Sequence, residues 1–341
     1  MNQPQPILNA SIARVATVAD HKSPMPALQC LRFANGKIEA SNLEQSWSES
    51  LDHDLDVLIP ARKLATIVRS APKTADINIE QGNGNVTVNF GRSRYTIPTV
   101  PTDQWPEPHR GVSQVEFTIQ GDKLAYLFGQ VIDSAAKDDV RYFLNGVLLE
   151  IANGKITAVG TDGHRMSFVS TDIDCEQEAS LIVPRTAVYA IMRDKPEQHE
   201  QITVSYAPSG YLELTFEDAT FGTRLIDGKY PDWRRVVPSN EYTATFERTD
   251  LLDAAKRASG LFKTAKLSIR GDRIEIIGES AEGERAIDEI DAKCEHDVDI
   301  AFHLPYLIDA LDNANNGSMT YTSGDKAAVV DGRHVLMPVR M

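Results

Sequence analysis

Residues 33–41 read FANGKIEAS, and residues 151–159 read IANGKITAV. One surface-type turn with the same apolar flanks is therefore written twice. From Ile38 to Ile156 is a step of 118 residues, and a second step of the same length reaches Ile274 in IRGDRIEII (269–277). Three copies at one spacing are an internal repeat, and a repeat governs how everything else is read.

Other landmarks recur with it. LIPARKLATIVRS starts at Leu58, LIVPRTAVYAIMR at Leu181 and FHLPYLIDALDNA at Phe302. Each is a β-like run, a proline (Pro60, Pro184, Pro305) and a helical pattern, with proline expected in the first helical turn. A second set of helices is expected over Lys123 to Ala136 and Thr249 to Lys263, with a weaker match at Ile7 to Ala19. Alternating runs broken by GNGN or PSG, such as DINIEQGNGNVTVNF and QITVSYAPSGYLELTF, predict β-hairpins. The fold class is thus α+β: three similar domains, each with two helices packed on antiparallel sheets, over 1–112, 113–239 and 240–341. The first copy departs from the plan. VEFTI and YTATFE precede the first helices of copies two and three, whereas copy one has NQPQPILNA, too short for a full strand.

The 341 residues carry a net charge of −14, which at first sight argues against nucleic acid. The distribution says otherwise. At 100° per residue, Arg62, Arg69 and Lys73 fall in one arc, opposite Leu64, Ile67 and Val68. Lys123 and Lys137 share a face opposite Phe128, and Lys256 and Lys263 share one away from Leu251 and Ala255. The acids gather in strand and loop segments such as 278–299. The helix after Pro305 is the exception, with Asp309 and Asp312 and no base. Basic faces of this kind suit a duplex, where each neutralised phosphate releases counterion.

Cys30, Cys175 and Cys294 lack CxxC spacing, as reduced cytosolic thiols do, and no apolar stretch approaches the roughly 20 residues of a membrane span. P-loop, HExxH and GxSxG motifs are absent. Asp162 and His164 in TDGHR could act as acid and base, yet Asp-Gly is equally the composition of a tight turn, and the other copies keep no such pair.

IPARKL, GRSRYTIPTVP, DVRYFLNGVLLE, AVGTDGHRMS, LIVPR, LIDGKYPDWRRVVP and VLMPVRM, in that order, resemble the bacterial sliding clamp, the beta subunit of DNA polymerase III. The resemblance runs from about Met25 to Met341. It implies a head-to-tail homodimer whose six domains form a ring around duplex DNA, and a non-catalytic, cytoplasmic subunit without cofactors. It also implies a pocket for short peptides of the polymerase III alpha subunit, the clamp loader and other proteins with a clamp-binding motif. Carried onto this chain, the pocket falls on Leu144, Thr161, Gly163, His164, Arg165, Met166, Pro231, Arg235, Val236, Val335, Leu336, Met337, Pro338, Val339, Arg340 and Met341, with Arg165, Arg235 and Arg340 at its rim. The DNA contacts fall on Lys22, Arg62, Arg141, Tyr142 and Phe143. A repeat-built binding scaffold that uses the pocket without encircling DNA is the alternative reading.

Overall fold

A computed structural model describes residues 1–107 and 111–340. Among them are six α-helices: α1 (Gln5–Val15), α2 (Ala61–Ser70), α3 (Gly121–Val131), α4 (Arg185–Arg193), α5 (Arg248–Ser259) and α6 (Leu304–Asn313). Each repeat thus holds two, as the pattern predicts.

The repeat is explicit in strand register. Phe33 pairs with Ile38, Ile151 with Ile156 and Ile269 with Ile274, each pair beside a hairpin turn. All six side chains are buried. The turns themselves are of two kinds. Asn35–Gly36 and Asn153–Gly154 both take positive φ (53° and 69° in each case), the backbone that matches strand twist and that Asn-Gly tolerates. Neither Gly271 nor Asp272 does so, so the third copy keeps the strands but not the turn.

The chain divides into two compact units, and the second repeat contributes to both. The first unit comprises residues 1–125, 173–177 and 186–225. Its eight-stranded sheet runs Val57–Pro60, Cys30–Ala34, Lys37–Ser41, Gln45–Ser50, Ala219–Arg224, Tyr211–Thr215, Ile202–Ala207, Val115–Ile119. Antiparallel pairing of Glu49 with Ala219 and Gln45 with Thr223 makes one sheet from two repeats. A smaller sheet joins Asn2–Pro4, Asp76–Gln81, Asn85–Phe90 and Ser93–Pro98. The first of these strands has only three residues, against five in Val115–Ile119 and Tyr242–Phe246. The shortened N-terminal segment therefore still pairs, with Pro4 at a sheet edge where a missing N–H is tolerated. Leu8, Ile12 and Val15 of α1 and Leu64 and Val68 of α2 are buried, the i, i+4 spacing of one helix face.

A charged cluster sits in this unit. Arg14 of α1 donates to Asp194 at 2.5 Å, Glu49 at 3.2 Å and Asp218 at 3.1 Å, and Ser11 donates to Glu49. Burial pushes the Asp194 and Glu49 carboxyls up, while Arg14 pulls both down.

The second unit comprises residues 126–172, 178–185 and 226–341. Its twelve-stranded sheet again crosses repeats, where Arg165–Asp172 pairs with His334–Leu336. One core packs Leu251, Ala255 and Ala258 of α5 and Leu304, Leu307 and Leu311 of α6 against Leu267, Ile276 and Phe302.

Helix ends correct three expectations. α2 stops at Ser70, because Pro72 lies just beyond and the residue before a proline avoids the α region. α3 stops at Val131, where a short 3-10 turn, Ile132–Ser134, begins and Arg185 donates to the Ile132 and Ala135 carbonyls. α5 stops at Ser259, before Gly260. Lys73, Lys137 and Lys263 therefore lie past the helices and are exposed loop residues. The prolines also sit differently from one another: Pro60 and Pro184 directly precede their helices, and only Pro305 is inside the first turn.

Candidate nucleic-acid interface and peptide pocket

In the first unit α1 and α2 flank an open groove of about 420 Å³. Ala13, Ala16, Ala61 and Ala65 are among its lining residues, together with Arg62, Arg69, Arg193 and His21, and no carboxylate lines it among the described residues. Arg62 and Arg69 are exposed on the face of α2 opposite Leu64 and Val68. Lys22 is exposed beside His21, its backbone N–H bonded to Asp20. Lys123, half-buried at the start of α3, has its backbone N–H on Asp122. Arg193 and His21 escaped the helix-face reading. Arg193 is the last residue of α4, and His21 lies in the loop after α1.

The basic residues of the second unit are less free. Lys256 is exposed on α5 but pairs with Asp312 of α6 at 3.0 Å. Arg141 grips Asp139 through two nitrogens, at 2.9 and 2.7 Å, and donates to the Asp162 carbonyl at 3.2 Å. Those bonds from Arg141 hold the Asp139 carboxyl down at about 2. Tyr142 is 58% exposed, while Phe143 is half-buried with its ring edge-on to it at 5.8 Å.

The residues expected at the peptide pocket are placed by strand alternation. Arg165 pairs with Leu336 and Met166 with Val335, so successive side chains point to opposite faces of the sheet. Met166 and Val335 join Leu144, Leu148, Val159, Ile182, Tyr230 and Trp233 in one apolar cluster. Leu336 points the other way, into the core under α5 and α6. Tyr230 and Trp233 anchor the 3-10 turn Trp233–Val236, whose Val236 is 59% exposed, next to exposed Pro231 and Arg235. Trp233 lies 5.0 Å from the Phe168 ring. Sequence reading missed both aromatics as supports, although each flanks the chosen Pro231.

The turn Thr161–Arg165 leads into the strand that carries Met166. Gly163 has φ +88°. The Thr161 hydroxyl accepts from the Gly163 N–H and donates to the Arg165 carbonyl, while Asp162 accepts from the N–H groups of His164 and Arg165. Asp162 therefore holds a turn, and the acid–base reading has no geometry behind it; His164 is exposed. Arg165 is not a rim residue. Its guanidinium pairs with Asp162 at 3.2 Å and Asp309 at 2.5 Å, donates to the Asp133 carbonyl, and lies 4.2 Å over the Tyr306 ring. The acids of α6 are thus partners of Arg165 and Lys256.

The C-terminus is a strand only over His334–Leu336, shorter than its apolar pattern suggests. Past it the Met337 N–H donates to the His164 carbonyl at 3.0 Å and the Val339 N–H to the Ala301 carbonyl at 2.9 Å. Met337 is 49% exposed, Pro338 and Val339 are half-buried, and Arg340 is exposed. Met341 lies outside the described residues.

The N-terminal-domain model of the DNA polymerase III beta subunit matches residues 8–109, and the central-domain model of that subunit matches 118–232. The beta sliding clamp of Escherichia coli K12 is 31% identical, with 83% of this chain and 81% of that one covered. The chain belongs to the DNA polymerase III beta subunit family, the bacterial sliding clamps. The beta sliding clamp of Pseudomonas aeruginosa is 28% identical with 96% of each chain covered. The crystal structure of a Pseudomonas aeruginosa sliding clamp bound to griselimycin superimposes with a TM-score of 0.94 at 26% identity, covering 100% of this chain and 99% of that one. The expected clamp fold is thereby established over the whole length. No helix among the described residues is long and apolar enough to cross a membrane.

Proposed function

We propose that this chain is a DNA sliding clamp: a head-to-tail homodimer that encircles duplex DNA in the cytoplasm and tethers the polymerase III alpha subunit, the clamp loader and other motif-bearing partners. The observation that carries the DNA half is the acid-free groove with three arginines in a chain of net charge −14. Placing Arg62, Arg69 and Lys22 at the DNA surface also leaves the acidic segments elsewhere, where they discourage indiscriminate wrapping.

The tether half rests on the pocket. Leu144, Met166 and Val335 supply a packed apolar floor, and Val236 and Met337 offer apolar surface to solvent. A short peptide with two or three apolar anchors suits that pairing of rigid floor and adaptable methionine. With domains at 1–112, 113–239 and 240–341, both large sheets pass from one domain into the next. The acids of α6 do not favour the scaffold alternative, because they already have cationic partners within the unit. The clamp supplies no catalytic group of its own and acts by keeping polymerase at its template. In primer extension with the polymerase III core and its loader, adding the protein should lengthen products synthesised in one binding event. Unchanged product length would contradict the proposal.

A further inference from the structure

The groove between α1 and α2 contains one group whose charge is not fixed. Arg62 and Arg69 reach it from α2 and Arg193 from the end of α4, while α1 contributes Asn9, Ile12 and Ala13 and the turn after it Ala16 and Thr17. His21 completes the lining, with Asp20 its acidic neighbour in sequence. We infer that Arg62, Arg69, Arg193 and His21 form one phosphodiester seat in which His21 takes up a proton as DNA binds. This rests on the clamp reading and deepens it, assigning two further phosphate ligands and a pH response.

The chemistry is local. Partial burial, then the Arg62 charge, lower the His21 pKa from its ordinary value, and Asp20 opposes them. The free groove therefore holds a neutral imidazole at neutral pH. A phosphate oxygen entering between the arginines brings negative charge to the imidazole and offsets the Arg62 repulsion, which favours the imidazolium. A proton that binds with the ligand makes affinity rise as pH falls, by up to tenfold for each unit of pKa difference between free and bound states. Small alanine side chains among the lining residues leave room for a sugar–phosphate backbone.

The test uses the full-length protein and a short linear fluorescent duplex, on which no topological link holds a ring, with the dissociation constant measured by anisotropy at pH 6.0 and 8.0 and fixed salt. Wild type should hold DNA about three- to fivefold more tightly at pH 6.0, within that limit. His21→Gln should lose the difference, His21→Lys should bind tightly at both pH values, and Arg193→Gln should weaken binding at both. If His21→Gln keeps the wild-type pH response, or Arg193→Gln binds as wild type, the seat is wrongly assigned. The parent reading fails separately: an Arg62→Glu/Arg69→Glu variant that binds as wild type would remove the groove from the DNA surface altogether.

Discussion

His334 shows how one side chain can set a stability profile. It is 1% exposed, bonded through Nδ1 to the Ser167 hydroxyl at 2.8 Å, which in turn meets Ser134 at 2.7 Å. Burial, aided by the Arg333 charge, pushes its pKa down from 6.5 to about 4. Below pH 6.5 the unfolded chain gains a proton that the folded chain refuses. Stability is therefore full above pH 6.5 and falls as pH drops toward 4, by about 2–3 kcal/mol. Glu49 and Asp194, whose carboxyls are raised, act in the opposite sense. They are common to wild type and a His334→Asn variant, so the difference isolates the histidine. Urea midpoints at pH 5 and 7.5 should show wild type losing ground to His334→Asn at the lower pH; parallel profiles would contradict the assignment. Arg165 is the second case at this scale. Replacing it by methionine strands Asp162, Asp309 and the Asp133 carbonyl, and should cost about 2 kcal/mol or more in urea unfolding. A cost under about 0.5 kcal/mol, the range of an ordinary surface change, would mean that the guanidinium belongs in solvent after all. Nothing local in TDGHR announces this role, because Tyr306 and Asp309 lie over 140 residues away.

Elements were more legible than their ends. Alternation and the 118-residue step place Ile38, Ile156 and Ile274 in the core, because a hairpin's register follows from its own residues. The basic faces were half legible. Arg62 and Arg69 stand on α2 as the 100° rule requires, whereas Lys73, Lys137 and Lys263 lie beyond helix ends that fall before Pro72, at the 3-10 turn Ile132–Ser134 and before Gly260. Reversing Arg62 and Arg69 to glutamate should leave α2 folded, since Leu64 and Val68 are untouched. It should flatten the slope of log affinity against log salt by about two, near 0.9 per lost phosphate contact. An unchanged slope would exclude α2 from the DNA surface. At the proposed pocket, strand alternation divides a contiguous motif: Val335 joins the apolar cluster of Leu144 and Met166 and Leu336 the neighbouring core, a split invisible without the pairing of Met166 with Val335. Removing residues 337–341 deletes Met337 from the proposed pocket and two backbone hydrogen bonds from the fold. Affinity for a labelled peptide carrying the alpha subunit's clamp-binding motif should fall at least tenfold, with a thermal transition within a few degrees of wild type. Normal peptide affinity in a folded truncation would move the pocket elsewhere.

At the scale of the whole molecule, the repeat explains why sheets pass from one copy into the next: Gln45–Ser50 takes Ala219–Arg224 as its neighbour, and Arg165–Asp172 takes His334–Leu336. Each copy offers an edge that another copy can extend, and edges of that kind close most simply by symmetry. A ring held by topology predicts a behaviour that no groove or patch can imitate. Retention should depend on whether the DNA has ends. The protein, loaded onto a nicked circle by its loader, should stay associated through gel filtration in high salt and dissociate at once when a restriction enzyme linearises the circle. Equal retention on circular and linear DNA, or equal loss from both, would contradict an encircling clamp.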